Sequence, residues 1–156
     1  MEIVRFLDLA VELETRISNL YKKIAEHSGD EPIAARLKTL SKEEINHANA
    51  IRRGKRYIEE MPDEFTGPTM SPTDARAGIE EITAFQAALE AAKIPLADQL
   101  RKMLDIEKRF EKIHMGVLVK IKDPNLKRMF VSLSKADQSH ILVLLGLIES
   151  LGEIVQ

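Results

Sequence analysis

Apolar residues recur every three or four positions along four stretches of the chain, a spacing that sets them on one face of an α-helix. Ile3, Phe6, Ala10, Leu13, Ile17, Leu20 and Ile24 predict helix A, which should stop at "HSGDEP", where Gly29 and Pro32 interrupt it. Helix B is expected from about Pro32, a residue suited to a first turn, through Ile33, Leu37, Leu40 and Ile51 toward Gly54 or Tyr57. Helix C should begin near Pro95 and carry Leu100, Met103, Ile106, Phe110, Ile113, Val117 and Ile121, until the "KDPN" turn at 122–125. Helix D carries Leu126, Phe130, Leu133, Leu144, Leu147 and Leu151. Between B and C, "MPDEFTGPTMSP" reads as an irregular connection. "TDARAGIEEITAFQAALEAAK" reads as one more amphipathic helix, with Thr73 or Asp74 as its cap. The pattern predicts an all-α, single-domain chain of two helical hairpins. Hairpin A/B spans about 1–60 and hairpin C/D about 94–153, joined by a linker and crossover helix over about 61–93.

The two hairpins repeat one another. Displaced by 93 residues, Glu14 meets Glu107, Arg16 meets Arg109 and Asp30 meets Asp123; "LSK" meets "LSK", Glu44 meets Asp137 and His47 meets His140. Apolar positions 13, 17, 20, 24, 33, 37 and 40 meet apolar partners without a gap.

Both copies interrupt their apolar stripe with the same chemistry. In helix B the series 33, 37, 40, 44, 47, 51 keeps its rhythm, yet 44 and 47 are Glu and His; in helix D the series 126, 130, 133, 137, 140, 144 places Asp and His at 137 and 140. Helix C puts Glu107 on its stripe, and helix A sets Glu14 beside Ala10, Leu13 and Ile17. Four carboxylates converging in one core repel each other and lose hydration, so they need protons or cations to stay there. Two divalent cations balance a charge of about −4, and neutral imidazoles add ligands without adding charge. An acid and a histidine three apart project from one helical face. Glu14, Glu44, His47, Glu107, Asp137 and His140 are therefore the candidate metal ligands.

Composition narrows the alternatives. Zero cysteines exclude disulfides, thiolate catalysis and cysteine-ligated zinc or iron–sulfur centres within these residues. The net charge of −2, with both signs interspersed, offers no stripe for a phosphate backbone, so no nucleic-acid partner is expected. The longest apolar run, "ILVLLGLI" at 141–148, is far short of the ~20 residues a membrane span needs. The opening "MEIVRFLDLAVE" lacks the basic-then-apolar order of a signal peptide, which leads us to expect a cytoplasmic protein without a membrane partner.

One Glu from each of two helices, plus an acid-x-x-His pair from each of two others, is the ligand set of ferritin-like di-iron and di-manganese proteins. The chain resembles that superfamily. Tyr21, seven residues after Glu14, and the "EEINHA" stretch make it most similar to the rubrerythrin branch. The resemblance implies a ferritin-like four-helix bundle with an added crossover helix, holding two iron ions at a site that also accepts manganese or zinc. It implies an oxidase or peroxidase acting on dioxygen or hydrogen peroxide, supplied by an external electron donor, and a homodimer or small homo-oligomer. It casts Glu44 and Glu107 as bridges, Glu14 and Asp137 or Glu107 as terminal carboxylates, and one of His47 and His140 on each metal. Tyr21 would hydrogen-bond a ligand. Glu111 and His114 repeat the acid-x-x-His spacing in helix C one turn beyond the ligand level, and are expected to neighbour the ligands rather than bind metal.

Three features depart from that family. Asp137 is one methylene shorter than the usual Glu, the chain can hold no four-cysteine rubredoxin centre, and Ile45 stands where bacterioferritins carry a haem-ligating Met, so no haem is implied. Glu12, Glu43, Glu80 and Glu81 read as solvated faces, and His27 as an exposed turn residue. The competing readings are an iron storage or delivery protein and a metal-free interaction bundle.

Overall fold

A computed structural model describes residues 2–62, 72–118 and 121–153, and among these the chain is helical without strands. Five helices follow one another: α1 (Glu2–His27), α2 (Glu31–Glu60), α3 (Pro72–Ala91), α4 (Leu96–Leu118) and α5 (Pro124–Ser150). They are the expected A, B, crossover, C and D. The all-α helical bundle is thus observed. Most of the predicted linker, residues 63–71, lies outside the described residues, as do residues 119–120 near the expected end of helix C.

Local chemistry explains the boundaries. Gly29 takes φ +67°, a left-handed conformation open to glycine, and reverses the chain after α1. Asp30 then caps α2, its Oδ1 accepting from Ile33 N at 3.0 Å, with Pro32 in the first turn where no N–H is needed. The second hairpin repeats the device at the same offset, with Asp123 Oδ1 accepting from Leu126 N at 2.8 Å ahead of Pro124. The start of α3 differs from expectation: the helix begins at Pro72, so Thr73 and Asp74 lie inside its first turn, where Asp74 complements the helix dipole.

α1 packs along α2 and α4 along α5. The stripes meet as expected: Leu13, Ile17, Leu20, Ile24, Leu37, Leu40, Ile51, Leu100, Met103, Ile106, Phe110, Leu126, Phe130, Leu133 and Leu144 are all buried. Ser18 Oγ donates to Ser41 O at 2.7 Å and Ser41 Oγ donates to Ser18 O at 2.9 Å, which fixes the register of α1 on α2.

The crossover helix lies against both hairpins, and the repeated arginines hold it there. Arg16 of α1 donates to Thr83 Oγ1 at 3.0 Å, while Arg109 of α4 pairs with Glu81, which also accepts from Lys102 Nζ at 2.7 Å. Gly78 lets α3 approach closely, since a Cβ there would stand 3.2 Å from Phe110 Cζ and 3.5 Å from Leu13 Cδ2. No helix among the described residues is long and apolar enough to cross a membrane.

Candidate metal centre

The six polar residues on or beside the stripes come together inside the bundle. Glu14, Glu44, Glu107, Asp137 and His140 are buried with 1–3% of their surface exposed, and His47 is only a little more open. Two triads have ligand atoms close enough for one ion each: Glu14, Glu44 and His47, and Glu44, Glu107 and His140. Glu44 belongs to both, so ions held by the two triads would share it. Glu107, the other expected bridge, joins the His140 side alone.

Each imidazole of the repeated motif turns Nδ1 inward. His47 Nδ1 lies 3.1 Å from Glu44 Oε2 and 3.8 Å from Glu14 Oε2; His140 Nδ1 lies 2.8 Å from Glu44 Oε1 and 3.4 Å from Glu107 Oε1. The two rings stack at 5.3 Å between centroids, 14° from parallel. Among the described residues, Glu44 Oε1 and His140 Nδ1 are buried without a hydrogen-bond partner, although only 2.8 Å separates them. A buried donor or acceptor left unpaired costs about 1–3 kcal/mol, more when charged. A cation between these atoms would satisfy both, so the residues present fit a metal.

The residues around the triads hold them in place. Tyr21 OH, fully buried, donates to Glu107 Oε1. Glu43 Oε2 lies 2.8 Å from His140 Nε2 and accepts its proton. Carboxylates in this role fix the tautomer and orientation of ligating histidines. Glu43 was expected on a solvated face and its side chain is indeed 46% exposed, but its carboxylate turns back to the ring. The only sequence sign of that role was its place beside Glu44 in "EEINH".

Asp137 and His114 are arranged differently from the other repeated positions. Neither Asp137 nor His114 joins a triad; Asp137 Oδ2 lies 2.6 Å from His114 Nδ1. His114 is itself buried, with Nε2 3.4 Å from Glu14 Oε1. Glu111 faces outward and accepts from Gln138 Nε2 at 2.9 Å. His27 is exposed in the last turn of α1, with Nδ1 2.8 Å from Lys23 O.

The crowding of charge shows in the acid–base behaviour of the metal-free chain. Burial, then the Glu44 charge, pushes Glu14 up to about 7. Burial disfavours a charged imidazole, but the facing carboxylates outweigh it. Glu14 and Glu44 lift His47 to about 10, Asp137 and Glu14 lift His114 to about 9, and Glu107 and Glu44 lift His140 to about 11. Burial and the Glu107 charge hold the Tyr21 phenol well above its ordinary value, so it remains a donor. Without metal, protons occupy the place of cations.

No protein-family model, no curated protein and no solved structure gives a significant match to this chain.

Proposed function

We propose that this chain is a ferritin-like, rubrerythrin-type protein that binds two iron ions and reduces hydrogen peroxide or dioxygen. The observation that carries the reading is Glu44: buried, shared by two ligand triads, and with an oxygen that makes no hydrogen bond among the described residues. Its support in the fold is the pair of repeated hairpins spanned by α3, the arrangement on which a ferritin-like topology rests. Glu14 and His47 would hold one ion, Glu107 and His140 the other, and Glu44 both.

Two adjacent redox-active ions together supply the two electrons that splitting an O–O bond requires. The protein's own part is to hold the ligands and exclude water. Tyr21 orients Glu107, Glu43 orients His140, and the buried faces of α1, α2, α4 and α5 keep bulk solvent from the centre. Reducing equivalents come from an external donor, because the chain has no cysteine with which to hold an iron–sulfur relay.

The test is anaerobic loading with ferrous ion followed by addition of hydrogen peroxide. Two ferrous ions should bind per chain, and one peroxide should be consumed per two irons, two electrons and two protons converting it to two waters. Failure to bind, or consumption no faster than by free ferrous ion, would defeat the proposal.

A further inference from the structure

The internal repeat pairs Tyr21 with His114 just as it pairs Glu14 with Glu107. The structure keeps that exchange. Tyr21 of α1 reaches Glu107 of α4, and His114 of α4 reaches Glu14 of α1, its Nε2 standing 3.4 Å from Glu14 Oε1. The two halves therefore address opposite carboxylates from equivalent positions, one with a phenol and the other with an imidazole.

The geometry on the imidazole side is that of a ligand held by a carboxylate. With Asp137 Oδ2 at 2.6 Å, Nδ1 keeps its proton, so a ring that yields its other proton to an ion presents its lone pair on Nε2. That lone pair faces Glu14, a second electron-rich group. At 3.4 Å the contact is longer than a normal N–H···O bond. It is, however, close to the roughly 3.0–3.4 Å between two donor atoms that each bind one ion at about 2.1 Å. The Glu14 oxygens address two imidazoles, Oε2 facing His47 Nδ1 at 3.8 Å and Oε1 facing His114 Nε2.

Asp137 explains why a nitrogen is needed there. Its repeat partner Glu44 reaches both triads, whereas Asp137, one methylene shorter, reaches neither and spends its carboxylate on His114. Neither triad therefore gains from Asp137 the carboxylate that Glu44 gives to both. We infer that His114 is a third imidazole ligand of the dinuclear centre, binding the ion on Glu14 through Nε2, and that Asp137 orients this ring rather than binding metal. The inference rests on the di-metal reading above. It makes the centre asymmetric, with two nitrogens on the Glu14 ion and one on the Glu107 ion. His114 closes the Glu14 side from α4, a helix that contributes only Glu107 to the triads.

Cobalt(II) bound to the full chain, with histidine labelled by nitrogen-15, tests both layers separately. Ligating rings carry strongly shifted exchangeable N–H resonances. Three of the four histidines should show them, and His27, exposed in α1, should remain unshifted. His114→Gln should remove one of the three and weaken one cobalt site at least tenfold, leaving the other site unchanged. Asp137→Asn, which keeps an oxygen to accept from Nδ1, should retain all three resonances. If cobalt binds but only two rings are shifted, or if His114→Gln leaves the shifted pattern intact, His114 is a hydrogen-bond donor to Glu14 and the inference is overturned. If Asp137→Asn empties a site that His114→Gln spares, Asp137 is the ligand and the inference is likewise overturned. Should His114→Gln not fold, the count of shifted rings in the unaltered chain decides alone. Failure of the unaltered chain to bind cobalt would instead remove the di-metal reading and this inference with it.

Discussion

Glu44 Oε1 and His140 Nδ1 lie 2.8 Å apart in the centre of the bundle, both buried, and neither makes a hydrogen bond among the described residues. Side chains from α2 and α5 are brought together here at a cost that only a shared cation or proton repays. Removing either motif imidazole should therefore lower metal content. His47→Ala and His140→Ala are each expected to reduce two bound ions per chain toward one, by elemental analysis after dialysis against a limiting free concentration. Two ions retained in both variants would contradict the centre.

Glu43 offers a test that leaves the core untouched. Its carboxylate meets His140 Nε2 from a half-exposed position on α2, so Glu43→Gln disturbs little packing. Loss of a carboxylate that orients a ligating histidine typically costs about 10–100-fold in metal affinity. We expect that loss at the Glu107 and His140 ion, read by competition with a chelator, together with an unchanged thermal midpoint of the metal-free protein. An unchanged affinity would mean that His140 needs no orienting partner.

What was legible in the sequence, and what was not, follows from how each residue is positioned. Asp30 and Asp123 could be read because an N-cap is a local device, fixed by the three residues that follow it. Glu44, His47 and His140 could be read because each replaces an apolar residue in an otherwise unbroken stripe, a signal that periodicity alone exposes. Glu43 could not, because its backbone position belongs to the outer face and only its side-chain rotamer returns to the ring. Nor could the partnership of Asp137 with His114, since it depends on the distance between two helices. One missing methylene decides there which group a carboxylate reaches.

The repeated caps predict matched stability losses. Asp30→Ala and Asp123→Ala each remove a side-chain acceptor from a helix N-terminus, at about 0.5–2 kcal/mol. Both should lower the denaturant midpoint by similar amounts without changing metal stoichiometry. A loss confined to one would show that the hairpins do not contribute equally to folding.

Packing in the crossover helix makes a sharper demand. Gly78 faces Phe110 and Leu13, both buried, and a Cβ would approach Phe110 Cζ to 3.2 Å. Gly78→Ala asks a packed aromatic to yield by a few tenths of an ångström. Gly78→Leu cannot be accommodated without separating α3 from α4, and should cost about 1–3 kcal/mol or more as overpacking. Thermal unfolding of the two variants should rank them in that order. An unaffected Gly78→Leu protein would place α3 elsewhere.

Acid–base linkage separates the metal-free from the metal-loaded protein. In the metal-free chain His114, His47 and His140 sit at about 9, about 10 and about 11, above the ordinary 6.5. A raised histidine stabilises the fold fully below its unfolded value and loses that contribution as pH rises through the folded one. Glu14, raised to about 7 from 4.5, acts in the same direction, since the folded state holds its proton more tightly than the unfolded state does. Metal-free stability should therefore fall as pH increases from about 6.5 toward 10. Metal binding reverses the dependence on protons: ions displace them from the imidazoles and from Glu14, so affinity strengthens with pH. Binding to the folded state alone adds RT ln(1 + [L]/Kd), roughly 2.7 kcal/mol at a hundredfold excess over Kd, and that increment grows as Kd falls. Thermal midpoints of the metal-free and cobalt-loaded protein at pH 6.5 and 9 should diverge, the free form losing stability while the gap to the loaded form widens. Calorimetric titration with cobalt at pH 7.5 in buffers of different ionisation enthalpy should also report net proton release. A constant gap between the two midpoints, or binding without proton release, would show that the ions do not occupy the place where the imidazoles and Glu14 hold their protons.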